Sequence, residues 1–389
     1  MQSFAPESNN TVRVRVFDTT LKQVVQTSAF YGPVHEGQEL LNLYTVAFLV
    51  DNERLGKKVL FDGGSPKDFE NFHPSVRRAM DAILVGVSVD QDPDEILADA
   101  GVSPDDIDSM IWSHWHFDHH GAPSNFPKTT EVVVGPGFTD MFLPGFPTRP
   151  DSLLPESYFE GRQVREIDFS KSNLKIGSFR AVDFFGDGSF YLLDSPGHAV
   201  GHICGFARTT PTTFVFMGGD ICHSPGIYRP NSVTALPDHI PKKQLDPAFP
   251  TPCPCSIFTK FHRAHPDGHE VRHSPFFELS RTADTTFIDR RAAAQSVQAM
   301  CELEESPDVF TCIAHDASLV QALPLLNNNP AADINDWKAR GYKEDTRWCW
   351  LNELPRDGKQ AQPPMVEGRY WKGRKVDNFT KAIDDALPS

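Results

Sequence analysis

Ser113-His114-Trp115-His116-Phe117-Asp118-His119-His120-Gly121 follows directly on Ser109 to Trp112, an apolar run of the length expected for a short buried strand. A turn just beyond a strand points alternate side chains into one cleft. His114, His116, Asp118 and His119 lie close enough there to serve two neighbouring metals. Imidazole and carboxylate donors suit divalent zinc, iron or manganese, and the excess of nitrogen favours zinc.

The arrangement recurs outward along the chain. Thr11 to Asp18 alternates Val12, Val14 and Val16 with polar residues, the pattern of a strand with one buried face. Tyr44 to Val50 and Lys58 to Phe61 read as further strands, the second ending in Asp62-Gly63-Gly64. Glu131 to Val134, Ser189 to Leu193, His202 to Ala207, Thr213 to Met217 and Asp308 to Ile313 continue the series, with turn residues between them. Three of these strands lead into Gly197-His198, Gly219-Asp220 and Ala314-His315. A loop of solvated histidines has no reason to repeat at successive strand ends, whereas a single site built from several strands does. Helices are expected after Pro74, from Pro93 to Ala100 and from Asp289 to Glu304, and Ser103 with Asp106 resembles a capping box.

The 389 residues include 39% hydrophobic and 23% charged side chains, which fits a folded globular protein and excludes a disordered or fibrous chain. Lys plus Arg number 37 against 52 Asp plus Glu, a net charge of −15 that opposes binding to nucleic acid or to anionic membrane. No run of apolar residues is long enough for a membrane span. The expected partner is a small-molecule substrate, and a homodimer is compatible with the sequence. Seven scattered cysteines and a start without signal-peptide character point to a reducing, cytoplasmic location.

Together these motifs resemble the metallo-β-lactamase superfamily, whose His-x-His-x-Asp-His pattern and downstream His, Asp and His are present without gaps. The spacing, Ser195-Pro196-Gly197-His198 and the Asp62-Gly63-Gly64 turn are most similar to the acyl-homoserine-lactone lactonase branch and to fungal lactam and lactone metallo-hydrolases. The resemblance covers Thr11 to Ser318. It implies an α/β fold, an αββα sandwich of two mixed sheets with helices outside and the metals along one edge. It also implies two zinc ions per chain, with iron or manganese as alternatives. By position, His114, His116 and His198 would hold the first metal, Asp118, His119 and His315 the second, and Asp220 would bridge them. The expected enzyme is a metal-dependent hydrolase that opens a lactone or γ-lactam by attack of a hydroxide shared between the metals. Asp118 is the expected proton carrier for the leaving group.

The lactonase branch places a tyrosine three residues after the bridging aspartate. This chain has His223 there, with Tyr228 five residues further on as a second candidate to face the substrate. Asp62 and His202 are expected behind the ligands as supports.

Residues 1–326 are expected to form the hydrolase domain, with an insertion at 236–288, and residues 327–389 a C-terminal extension packed on it. Phe249, Phe258, Phe261, Phe276 and Phe277 of the insertion are expected to cap the metal cleft, and Met141 to Phe146 to form another wall. Cys253 and Cys255 with His262, His265, His269 and His273 have the residue types for a further structural zinc, at poor spacing. Thioester hydrolysis, as in glyoxalase-like or thioesterase relatives, and mononuclear iron persulfide dioxygenation use overlapping ligands and stand as alternatives. Flavo-di-iron chemistry replaces the second motif histidine by glutamate, where this chain has His116, and nucleases of the superfamily carry a basic exosite that this sequence lacks.

Overall fold

The computed structural model describes residues 4–264 and 269–386. Two mixed sheets lie face to face. The larger has nine strands. Its centre pairs Arg13–Gln26 with Leu40–Asn52 and Leu40–Asn52 with Lys57–Phe61, both antiparallel, and then runs parallel through Ser109–Ile111, Glu131–Val134 and Val164–Glu166. The smaller has six strands, with Phe190–Asp194, Ile203–Arg208 and Phe214–Met217 antiparallel and Val309–Cys312 added parallel to the last.

Alternation along the strands makes the layers. Val14, Val16, Val46, Phe48, Val50, Phe61 and Ile111 face Phe190, Leu192, Ile203, Val215, Met217 and Phe310 across the sandwich, all buried in one apolar cluster. The opposite face of the larger sheet, with Phe17, Leu49, Leu60, Met110 and Val132, is covered by Ile96 and Leu97 of the helix Pro93–Asp99 and by Phe138 and Phe142. The outer face of the smaller sheet, including Leu193, Phe206 and Phe216, is covered by Ala293, Val297, Met300 and Leu303 of the helix Arg290–Glu304. Their i, i+4, i+7, i+10 spacing puts these four on one side of that helix. The result is the expected αββα sandwich.

Several local expectations change. The first strand does not stop at Asp18 but continues to Gln26, past a register shift between Asp18 and Lys22 where Thr20 has φ 59°. A bulge breaks the alternation that marks a strand in sequence. The capping box belongs to Asp92 and Glu95, each side chain bonded to the other's backbone N–H, while Ser103 caps a single 3-10 turn by accepting from Asp105 N. Beyond residue 326 the chain adds to the larger sheet. Arg369–Trp371 pairs parallel with Leu84–Val89, and Phe379 lies edge-on against Phe69.

The five phenylalanines of the 236–288 insertion expected to cap the cleft do not line it, although Phe287 of the same insertion packs edge-on against His198 and His223. Phe276 and Phe277 meet Trp350 edge-on, Phe277 also stacks on Tyr31, and Phe249 packs on Phe258. Glu278–Leu279 pairs with Tyr31–Gly32, and Phe277 N donates to Gly226 O, fixing that segment against the body. The tryptophan-rich tail gives these rings a larger apolar surface to bury against than an open cleft would. Met141 to Phe146 is likewise set back. Phe142 is buried against Phe138 and Trp115, and Met141 is exposed. Cys253 and Cys255 belong to no group of potential metal donors among the described residues. His265 lies outside the described residues.

Candidate metal centre

Strands from both sheets end along one edge of the sandwich, and there the sequence supplies its donors. His114 to His119 follow Ser109–Ile111, His198 follows Phe190–Asp194, Asp220 follows Phe214–Met217 and His315 follows Val309–Cys312. Ile203 N donates to Ser113 O and Ala314 N to Gly219 O, so the loops are tied to one another across the edge. Two of the preceding glycines are required by space. A Cβ on Gly197 would lie 2.0 Å from Ala293 N, and one on Gly219 would lie 2.6 Å from Ser113 Cβ; both have positive φ.

Three overlapping donor groups result, one of His114, His116, His198 and Asp220, a second of Asp118, His119 and His315, and a third of Asp220, His223 and His315, each with its ligand atoms within 4.8 Å of one another. Asp220 connects them. Its Oδ2 stands 3.3 Å from His198 Nε2 and 3.7 Å from His114 Nε2, and its Oδ1 stands 3.1 Å from His119 Nε2 and 3.0 Å from His315 Nε2. Asp118 Oδ2 lies 3.7 Å from His315 Nε2 and 3.9 Å from His119 Nε2.

These groups fit divalent cations on three counts. His119 Nε2, His315 Nε2 and Asp220 Oδ1 are buried without a hydrogen-bond partner despite their short separations. Lone pairs aimed at a common point rather than at each other give that combination, and buried polar atoms are otherwise paired. His198 Nε2 stands 3.2 Å from His114 Nε2 and 3.0 Å from His116 Nδ1, close to the edge of about 3.3 Å of a tetrahedron of nitrogen donors around zinc. The electrostatics agree. Burial, reinforced by neighbouring imidazoles, holds His114 well below the usual imidazole range and His116 at about 3, which keeps both in the neutral form a metal requires. Burial would also lower His119, but Asp220, Asp62 and Asp118 outweigh it and push that group well upward, so the second donor group sits in a field that favours positive charge.

The outer groups set tautomers. Asp62 has φ 61°, which Asp tolerates better than most residues. Its Oδ1 accepts from Ser113 N at 2.7 Å and its Oδ2 lies 2.9 Å from His119 Nδ1, leaving His119 Nε2 for the centre. His315 Nδ1 donates to Tyr44 O at 2.6 Å, with the same result. His202 Nε2 accepts from Asp220 N at 3.1 Å while its Nδ1 meets Ser195, so it holds the loop carrying Asp220.

His223 is brought into the group. Its Nε2 lies 3.0 Å from Asp220 Oδ2, its ring is parallel to that of His315, and Phe30 packs on it. Tyr228 is not. The chain turns at Pro225–Ile227, and the tyrosine is fully buried beneath the Arg229 guanidinium, 4.8 Å from the ring centre, away from the cleft. The substrate-facing role expected of Tyr228 is corrected on that ground.

The donors floor a cleft of 280 Å³. Its walls include residues that the sequence alone did not assign, Val25, Phe30 and Leu43, Trp115 and Phe117, Leu153 and one stripe of the helix Pro74–Ile83, together with the 284–286 segment of the insertion expected to cap the cleft. That stripe, Ser75, Val76, Ala79, Met80 and Ile83, has helical spacing, and Ile83 is 40% exposed because it faces the open cleft. Gln23 was also missed; it lines the cleft and its Nε2 donates to Asp118 Oδ2 at 2.9 Å.

Comparison with known proteins agrees with this fold. Residues 42–218 match the metallo-beta-lactamase superfamily. The chain is 38% identical to the gamma-lactamase FDB1 of Fusarium pseudograminearum over 94% of this chain and 89% of that one. It is 41% identical to the metallo-hydrolase mfmC of Annulohypoxylon moriforme over 90% and 89%. Among solved structures, a quorum-quenching N-acyl homoserine lactone hydrolase has a TM-score of 0.50 at 18% identity, covering 82% of this chain and 98% of that one. A B. thuringiensis mutant with N-decanoyl-L-homoserine bound at its active site has a TM-score of 0.51 at 17% identity, covering 81% and 98%. These two share the fold. The chain belongs to the metallo-beta-lactamase superfamily of hydrolases.

Proposed function

We propose that the chain is a dinuclear zinc hydrolase that opens a small cyclic amide or ester, a lactam or lactone of xenobiotic or signalling type. The observation that carries this reading is the Asp220 carboxylate, each of whose oxygens faces a different donor group. His114, His116 and His198 would hold one cation, Asp118, His119 and His315 the other, and Asp220 would be shared. Two divalent cations held there supply a water ionised near neutral pH and a Lewis acid for the carbonyl oxygen.

The remaining work falls to the chain. In the net reaction the oxygen of water bonds to the acyl carbon and the ring C–N or C–O bond breaks, its electron pair leaving with the heteroatom. A proton from water ends on that heteroatom. Asp118 lines the cleft with its carboxylate fixed by Gln23, and carries this proton. His223 donates from Nε2 to Asp220 and presents its ring to the substrate from the cleft wall. Phe30, Val25, Leu43, Met80 and Phe117 exclude bulk water and match a compact apolar ring.

Among the described residues no Lys or Arg lines the cleft, so a thioester on a phosphate-bearing or glutathione-like carrier finds no cationic anchor there. The complete second donor group favours two cations over the single iron of a dioxygenase. The gamma-lactamase relatives support a lactam as substrate. On organisation, we propose a hydrolase domain over 1–326 with the insertion at 236–288, and an extension over 327–389. A cytoplasmic detoxifying role is in keeping with seven free cysteines, and no helix among the described residues is long and apolar enough to cross a membrane.

The test is a panel of γ-lactams, lactones and acyl thioesters, run before and after chelation. Ring opening that chelation abolishes and zinc restores is expected. Hydrolysis of thioesters alone, or oxygen consumption by an iron-loaded protein, would overturn the reading.

A further inference from the structure

Among the described residues Gln23 is the one neutral amide side chain lining the cleft, and it lies beside the proposed proton carrier. It stands on Arg13–Gln26 between Val87 and Leu43 of the two adjoining strands, past the bulge that sends Leu21, Gln23 and Val25 to the cleft side. The side chain is 2% exposed, so its orientation is set by the protein. A carboxylate only accepts hydrogen bonds, so the 2.9 Å contact with Asp118 Oδ2 assigns the NH2 end of the amide to Asp118. The amide oxygen is thereby fixed on the other branch of the same planar group, and among the described residues no donor reaches it. Beside its polar donors, the cleft that Gln23 lines carries apolar side chains, among them Val25, Phe30, Leu43, Met80 and Leu84.

An acceptor held in place in such surroundings penalises any ligand that desolvates it without supplying a donor. Its partner must also lie close to Asp118, since the oxygen and the nitrogen that Asp118 holds belong to one amide. The atom that stands next to Asp118 in the proposed reaction is the departing ring heteroatom. A secondary lactam or cyclic carbamate carries an N–H there, whereas an N-alkyl lactam or a lactone carries none.

We propose that Gln23 is a specificity-determining residue, its Oε1 accepting a hydrogen bond from the ring N–H and so selecting secondary cyclic amides over N-alkylated amides and lactones. The assignment of the leaving atom rests on the ring-opening function proposed above. The need for a donor on the ligand opposite Oε1 rests on the cleft alone.

The experiment uses three matched probes, an N–H γ-lactam, its N-methyl derivative and the corresponding γ-lactone, on the wild-type chain and on Gln23→Met, which keeps length and removes the acceptor. For wild type, kcat/KM is expected to favour the N–H lactam over its N-methyl partner about 10- to 100-fold. In Gln23→Met the ratio should fall to within about 3-fold. Calorimetric titration of metal-stripped protein with the two lactams gives a readout independent of turnover, and the same preference is expected there. Equal binding and equal turnover of the pair by wild type, or an unchanged ratio in Gln23→Met, would overturn the assignment. Absence of turnover with every probe would instead sink the ring-opening function, while the calorimetric preference would still decide the role of Gln23.

Discussion

The two ends of the cleft are built in different ways. The polar end takes its donors from loops at the ends of strands in both sheets, and nearly every one was visible as a His or Asp directly after an apolar run. The apolar end comes from a helix face, the strand positions Val25, Leu43 and Leu84, loop rings such as Phe30, Trp115 and Phe117, and a short piece of the insertion; the insertion was expected there through other residues, and the rest carries no local signal of its role. Chemistry that needs particular atoms leaves residue types in the sequence. A wall needs only apolar surface in the right place, which many residues supply and only the tertiary arrangement assigns.

If the polar end drives the reaction and the apolar end selects the substrate, substitutions should separate by kinetic parameter. The largest effect is expected for Asp220→Asn. It weakens the one group facing both donor sets, and kcat should fall by about 1000-fold or more, consistent with losing several kcal/mol of transition-state stabilisation. Retention of a tenth of the wild-type kcat would break the comparison. Asp62→Asn removes the carboxylate that sets the His119 tautomer, and metal affinity or activity should fall about 10- to 100-fold, measured by competition with a chromophoric chelator.

At the other end, Ile83→Ala should raise KM about 5-fold with kcat unchanged, since it removes apolar contact at the mouth without touching a donor. Phe277→Ala sharpens the contrast. This ring was expected in the cap but packs on Tyr31 and Trp350, so its loss should cost about 3–5 kcal/mol in denaturant unfolding and leave KM alone. A changed KM in a folded Phe277→Ala protein would return that ring to the cleft.

The smallest effect on turnover is expected far from either end. Buried Glu304 would have its pKa raised by burial, but Arg229 and Lys343 outweigh this and hold it at about 2, against an ordinary 4.5. A depressed carboxylate pKa contributes stability that is complete above the unfolded value and lost as pH falls through the folded one. The Glu304 contribution should therefore disappear between about pH 4.5 and pH 2. Glu304→Gln should flatten that limb of the stability profile, with no change in relative substrate preference.

The parts that could not be read from the sequence have identifiable causes. Gln23 was hidden because the bulge after Asp18 interrupts the alternation of its strand, and because its partner Asp118 is 95 residues away in the chain. Leu84–Val89 was missed since Gly86 and the exposed Val85 blur its pattern, and its tail-derived neighbour Arg369–Trp371 is short and half-buried. Tyr228 was misplaced because distance along the chain says nothing of the turn at Pro225 that carries it away from Asp220. The helix Pro74–Ile83 was expected, yet nothing in an amphipathic stripe tells whether it meets a core or a cleft.

The central claim is that two cations share one centre through Asp220. It is tested most directly by elemental analysis of zinc-reconstituted protein, freed of excess metal, for wild type and His315→Ala. The account predicts two zinc ions per chain in wild type and one in the variant. A wild-type content of one or none, or equal content in the two proteins, would contradict it.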